Sequence, residues 1–178
     1  MPLTPGVDTD SSCNHHRLSA TVAVRPTAVC HTAGMEPFEF IENFSSVTSK
    51  FGIWPSFHDG EVLRIVLERA ALSSSRSPSV EISIRCWVMG PEVTGDGFYK
   101  QNNDSVVRFL FEDIFDLEIE GFNQQNVLSA LNLSLIQNPP GCTALRVELE
   151  HCYLFAAEFS ARKAKILGIE PYVSRDGE

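Results

Sequence analysis

Alternation with a period of two is the feature that most narrows what this chain can become. Val80, Ile82, Ile84, Cys86 and Val88 alternate with Glu81, Ser83, Arg85 and Trp87. A strand sends successive side chains to opposite faces, so this run predicts a strand with one face in a core and the other in water. Leu63, Ile65 and Leu67 alternate in the same way with Arg64, Val66 and Glu68. The polar stretch Ser73–Pro78 between the two runs makes them an antiparallel hairpin.

Similar runs follow at Val107–Phe111, Phe115–Ile119, Leu145–Leu149, Tyr153–Phe159 and Ala164–Ile166. Asp113 falls on the inward parity, which predicts a bend near Glu112–Asp113 that divides two strands. Gly90–Asp104, with Pro91, Gly95, Gly97 and Asn102-Asn103, reads as a long loop. Asn126–Leu131 reads as a short helix or turn, and Asn138-Pro-Pro-Gly141 as a firm turn.

One segment near the front has the other period. Phe40, Ile41, Phe44, Val47 and Phe51 place one apolar stripe on a helix over Pro37–Phe51. Pro37 suits its first turn and Gly52 its end. Parallel strands would need helical crossovers, and no helical segments stand between the alternating runs. The fold class expected is therefore α+β: a predominantly antiparallel β-sheet of roughly six to eight strands, curled or sandwich-like, with one N-terminal amphipathic helix packed on it.

Length and composition set the outer bounds. The 178 residues suit one domain. Residues 1–34 are rich in Ser, Thr, Pro and small residues without a period, and are expected to be a disordered or non-native extension, with Met35 a plausible start. The domain is expected over 35–173, with 174–178 a frayed tail. The net charge of −9 falls wholly on the body, because Asp8 and Asp10 offset Arg17 and Arg25 in the extension. An acidic body disfavours nucleic-acid binding, which needs Lys and Arg clusters, and would steer a basic partner towards it. Five cysteines without a CxxC pair indicate neither a zinc cage nor a disulfide framework, and fit free thiols in the cytoplasm. No apolar run is long enough for a membrane helix.

The most concentrated polar chemistry lies in Phe51-Gly-Ile-Trp-Pro-Ser-Phe-His-Asp-Gly-Glu-Val-Leu63. His58, Asp59 and Glu61 are set among Trp54 and Phe57 at a helix-to-strand corner. A small metal-dependent hydrolase would need these three to converge, with His151 or another acid such as Asp113 nearby. The alternative is structural: Asp59 caps a turn and His58 bonds to backbone. Ser56, His58 and Asp59 are too close in sequence to form a hydrolytic triad on an extended chain. No catalytic residues, metal ligands or cofactor are assigned. Asp116, Glu118 and Glu120 read as a solvated rim or as an anionic patch for a basic protein. Trp87 lies on the wet parity and is either an interface anchor or packed under the helix or long loop. A third reading is a ligand-binding sheet domain with a pocket under the Gly90–Asp104 loop.

The run from Phe51 to Leu63 resembles the motif of the immunity protein 50 family of bacterial polymorphic toxin systems, in which a short helix leads into W-P-x-F-H-D-small-E-hydrophobic and then a strand. The closing stretch Cys152-Tyr-Leu-Phe to Ile169-Glu-Pro-Tyr172 is also similar, and the resemblance covers about residues 36–172. Gly60 stands where Ala or Ser is more usual. The resemblance implies a non-enzymatic cytoplasmic protein that binds and neutralises a cognate toxin domain, with Trp54, Phe57, His58, Asp59 and Glu61 as motif positions, either a structural corner or part of an interface.

Overall fold

The computed structural model describes residues 34–69 and 77–173. The extension, the final tail and most of the expected Ser73–Pro78 turn lie outside them. Among the described residues six strands form one sheet: β1 (Glu61–Glu68), β2 (Ser79–Val93), β3 (Tyr99–Glu120), β4 (Leu128–Gln137), β5 (Thr143–His151) and β6 (Ala156–Pro171). Their spatial order is β1-β2-β3-β6-β5-β4, with every neighbouring pair antiparallel. The sheet is curled without closing into a barrel, and the α+β class read from the alternation is the class observed. Phe109, Phe111, Phe155, Phe159, Ile82, Ile84, Leu145 and Leu149 are buried along its inner face.

The N-terminal stripe does cover that face, but as two pieces. A 3-10 turn (Pro37–Phe40) is followed by a break, and α1 spans only Phe44–Phe51. The break has a partner. The Glu42 N–H donates to the Ala164 carbonyl (2.9 Å), and the Ile166 N–H donates to the Glu42 carbonyl (2.9 Å). β5 pairs with β6 only up to Ala161, so the rest of that β6 edge is open and takes Glu42 as a short parallel bridge. Asn43 turns the chain into α1 with φ 65°, a conformation Asn tolerates well. Gly52, at φ 82°, ends the helix, its N–H bonded to the Thr48 carbonyl.

Three other expectations change. The Gly90–Asp104 loop is instead the far half of a hairpin: β2 continues to Val93, β3 starts at Tyr99, and Thr94–Phe98 makes the turn. The glycines and asparagines that read as loop are absorbed by two register shifts, at Cys86/Val88 and Met89/Val93. Gly90 leaves room there for the Asn102 side chain, whose amide nitrogen would lie 2.5 Å from a Cβ. Glu112–Asp113 does not divide two strands, since β3 runs 22 residues unbroken. Asp113 (φ 57°) and Asp116 (φ 53°) take left-handed conformations within it, and the register shifts between Phe115 and Glu118. Finally, Asn126–Leu131 is not helical. Leu128 begins β4, in which Leu131, Leu133 and Leu135 face the core partners Leu149, Val147 and Leu145. Pairing with β5 overrides the helix preference of its Leu and Ala residues.

Candidate functional site

The Trp54–Val62 corner is built from the inside out. Phe57 is 2% exposed and meets Phe109 edge-on at 5.8 Å. Trp54 stacks on Phe38 (4.9 Å, 8°) and sets its edge to Phe57 and Phe109. The aromatic chain thus ties the 3-10 turn, the corner and the central strand β3 into one block, with geometry that adds to simple burial. Phe57 and Asp59 both have φ near 60°, and the Gly60 N–H closes the turn on the Phe57 carbonyl at 3.0 Å. A Cβ on Gly60 would lie 2.9 Å from that carbonyl oxygen and 3.0 Å from that of Arg85, so glycine relieves the tightest point.

The backbone of this corner holds the two edges of the sheet together at one end. The Asp59 N–H donates to the Leu128 carbonyl (3.0 Å), the Leu128 N–H to the Gly60 carbonyl (2.8 Å) and the Val62 N–H to the Asn126 carbonyl (2.9 Å). β1 and β4 stand at opposite ends of the strand order, so these bonds bring the two edges of the curled sheet together. Asn126 completes the joint. It is 4% exposed, its amide donates to the Val62 and Asn123 carbonyls, and its oxygen accepts from the Asn123 N–H. Sequence reading did not single out Asn126, and the signal available was only a polar residue just before an apolar strand.

The three polar motif residues do not all meet: His58 and Asp59 are neighbours, and Glu61 is not grouped with them. The His58 Nδ1–H donates to the Ser129 carbonyl (2.8 Å), which fixes the tautomer because a carbonyl can only accept. Its Nε2 is 3.7 Å from an Asp59 carboxylate oxygen, and both side chains are more than half exposed. Glu61 is in register with Arg85 of β2 instead. Among the described residues no three His, Cys, Asp or Glu side chains are grouped so as to hold a metal ion.

A second cluster lies beside the corner, on Arg85, the β2 partner of Glu61. The Arg85 guanidinium makes two bonds to Asp104, Nε–Oδ1 at 3.0 Å and Nη2–Oδ2 at 2.7 Å. It lies over the rings of Tyr172 (3.7 Å) and Trp87 (5.3 Å). The Asp104 hydrogen bond raises the Arg85 pKa above its ordinary value, against the opposing effect of burial. Trp87 is thus half-buried within an ordered cluster, and the Pro-Tyr that ends the chain's closing stretch supplies one wall of it.

The acidic candidates divide as well. Glu118 and Glu120 line a trough of about 520 Å³, together with Glu148, Glu150, Glu158, His151 and Ser129. Asp116 is exposed at the register shift and does not line it. Glu118 is paired with Glu158 across β3 and β6, and Glu158 with Glu148 across β6 and β5. Arg146 bonds to Glu148 (3.0 Å) and to Glu158, and these carboxylates raise its pKa. Ser129 joins the trough to the corner: its carbonyl holds His58 and its hydroxyl donates to Glu150 (3.3 Å). The sequence showed Glu118 and Glu120 on one strand. It did not show that Glu148, Glu150 and Glu158 from two later strands would lie beside them.

The fold and site define a curled antiparallel sheet whose motif is a joint between edge strands and whose carboxylates are displayed on its surface. Residues 43–172 match the family described as Immunity protein 50, and the chain belongs to that family. It matches no curated protein and no solved structure. Among the described residues no helix is long and apolar enough to cross a membrane.

Proposed function

We propose that this protein is an immunity protein that binds a cognate toxin domain and neutralises it by masking, without bond-making chemistry of its own. Family membership supports the immunity role and implies a protein toxin as partner. The observation that carries the mechanism is the use made of the motif. Trp54 and Phe57 are packed into the core, and the Asp59–Val62 backbone joins β1 to β4. His58 lies beside Asp59 while Glu61 is in register with Arg85, and among the described residues no three His, Cys, Asp or Glu are grouped as a metal-dependent centre would require. The work then falls to surfaces, and the acidic body favours a basic protein over nucleic acid. A cytoplasmic site of action, where the toxin would otherwise harm its producer, follows from this reading.

The test is co-expression in a bacterial host of this protein with the toxin domain encoded beside its gene. Rescue of growth and co-purification of the pair are expected. Continued killing with no complex would end the immunity reading.

A further inference from the structure

The loop end of the sheet displays apolar side chains that the core does not use. Phe122, Tyr153 and Leu154 are 50%, 58% and 81% exposed. They stand on two connections, from β3 to β4 and from β5 to β6, that touch one another. A Cβ on Gly121 would lie 2.4 Å from the Leu154 carbonyl oxygen, and Phe122 meets the buried Phe155 edge-on at 5.7 Å. Leu154 is held at φ 67°, where a leucine is strained, and its side chain points into solvent.

The sheet face beside these loops has an independent peculiarity. Glu120 immediately precedes Gly121, and His151 and Ala156 flank the Tyr153-Leu154 turn, so the acidic trough begins where the apolar loops end. Glu118, Glu158 and Glu148 stand side by side on three adjacent strands, and like charges opposite one another oppose folding. Among the described residues Arg146 supplies the only ion pairs to these three, and none reaches Glu118. A partner bringing positive charge would remove that repulsion.

We propose that this end of the sheet is the docking surface for the toxin: the trough receives a row of Lys and Arg side chains, and Leu154, Tyr153 and Phe122 enter an apolar recess at its rim. The occupant is thus a protein domain with a basic contact face. Charge complementarity selects it over a second copy of this acidic chain, which would be repelled. The assignment rests on the immunity reading, and the experiment separates the two.

Affinity for the purified toxin domain encoded beside the gene is measured with the full chain and three variants, each checked for an unchanged far-ultraviolet spectrum and a melting temperature no lower than that of the unaltered protein. Glu118→Gln/Glu148→Gln/Glu158→Gln is expected to bind at least about 30-fold more weakly and to lose most of its salt dependence. Leu154→Gly suits the left-handed backbone, so it is expected to keep or raise the melting temperature while weakening binding about 10-fold. Phe98→Ser, on the distant β2–β3 hairpin, is expected to stay within about twofold. Wild-type affinity in the first two variants, or a loss confined to Phe98→Ser, would overturn the docking surface and leave the immunity reading intact. No binding by the unaltered protein would remove both.

Discussion

The Trp54–Val62 corner and the Glu118–Glu158–Glu148 row use polar and aromatic residues to opposite ends. In the corner almost every group has an internal partner. Phe57 is in the core, four backbone hydrogen bonds join the corner to Asn126, Leu128 and Leu131, and His58 donates to Ser129. In the row, carboxylates sit opposite carboxylates and one arginine serves two of them. Under the proposed docking surface, the recognisable motif is the joint, and recognition is left to residues with no motif. If so, damage to the corner should cost stability first, and damage to the row should cost binding without costing stability.

The largest effect is expected at Phe57. Phe57→Ala removes a ring that contacts both Trp54 and Phe109, and should lower the unfolding free energy by about 3–5 kcal/mol in a denaturant titration. A loss below about 1 kcal/mol would mean that the corner is not the joint described here. Next comes Gly121→Ala, at φ 64° with a Cβ 2.4 Å from the Leu154 carbonyl, for which a loss of about 2 kcal/mol is expected. His58→Ala removes one exposed hydrogen bond and should cost about 1 kcal/mol. Glu118→Gln should act in the other direction, raising stability by about 0.2–1 kcal/mol as the repulsion from Glu158 is relieved. A clear loss there would break the contrast.

The smallest effect concerns Cys86, 1% exposed, whose thiol is pushed by burial to a pKa of about 12 from an ordinary 9.0. The folded state therefore keeps a proton that the unfolded state releases. This contribution is complete below pH 9.0 and is lost as the pH rises from there towards about 12. Alkylation of the native protein at pH 8, read by peptide mass, should label Cys142 and Cys152 rapidly and Cys86 only on unfolding. Rapid labelling of Cys86 would show that the β2 face is open.

How much of this was legible follows from where each property resides. Strand alternation is local, so Val80–Val88 and Leu145–Leu149 could be read directly, and the missing crossovers made the sheet antiparallel. The continuation of β2 and β3 past Gly90 was hidden because a hairpin partner can stabilise residues that read singly as breakers. β4 was hidden because Leu128–Gln137 is rich in the helix formers Leu, Ala and Gln, with Ile136 its one β-branched residue, and only β5 makes it a strand. The corner was conspicuous as a sequence, but its role depends on Leu128 and Asn126, over sixty residues further along. Glu118 and Glu120 were legible as a pair. Their neighbours Glu148, Glu150 and Glu158 become neighbours only once β6 is threaded between β3 and β5.

Hydrogen exchange of the protein alone and in complex with its toxin domain bears most directly on the division between joint and recognition surface. The account predicts slowed exchange on binding in the loops at Gly121–Gln125 and Cys152–Phe155 and at the adjoining ends of β3, β5 and β6, with the Trp54–Val62 corner equally protected in both states. Slowing centred on the corner, or on the Met89–Gln101 hairpin with the two loops unchanged, would contradict it.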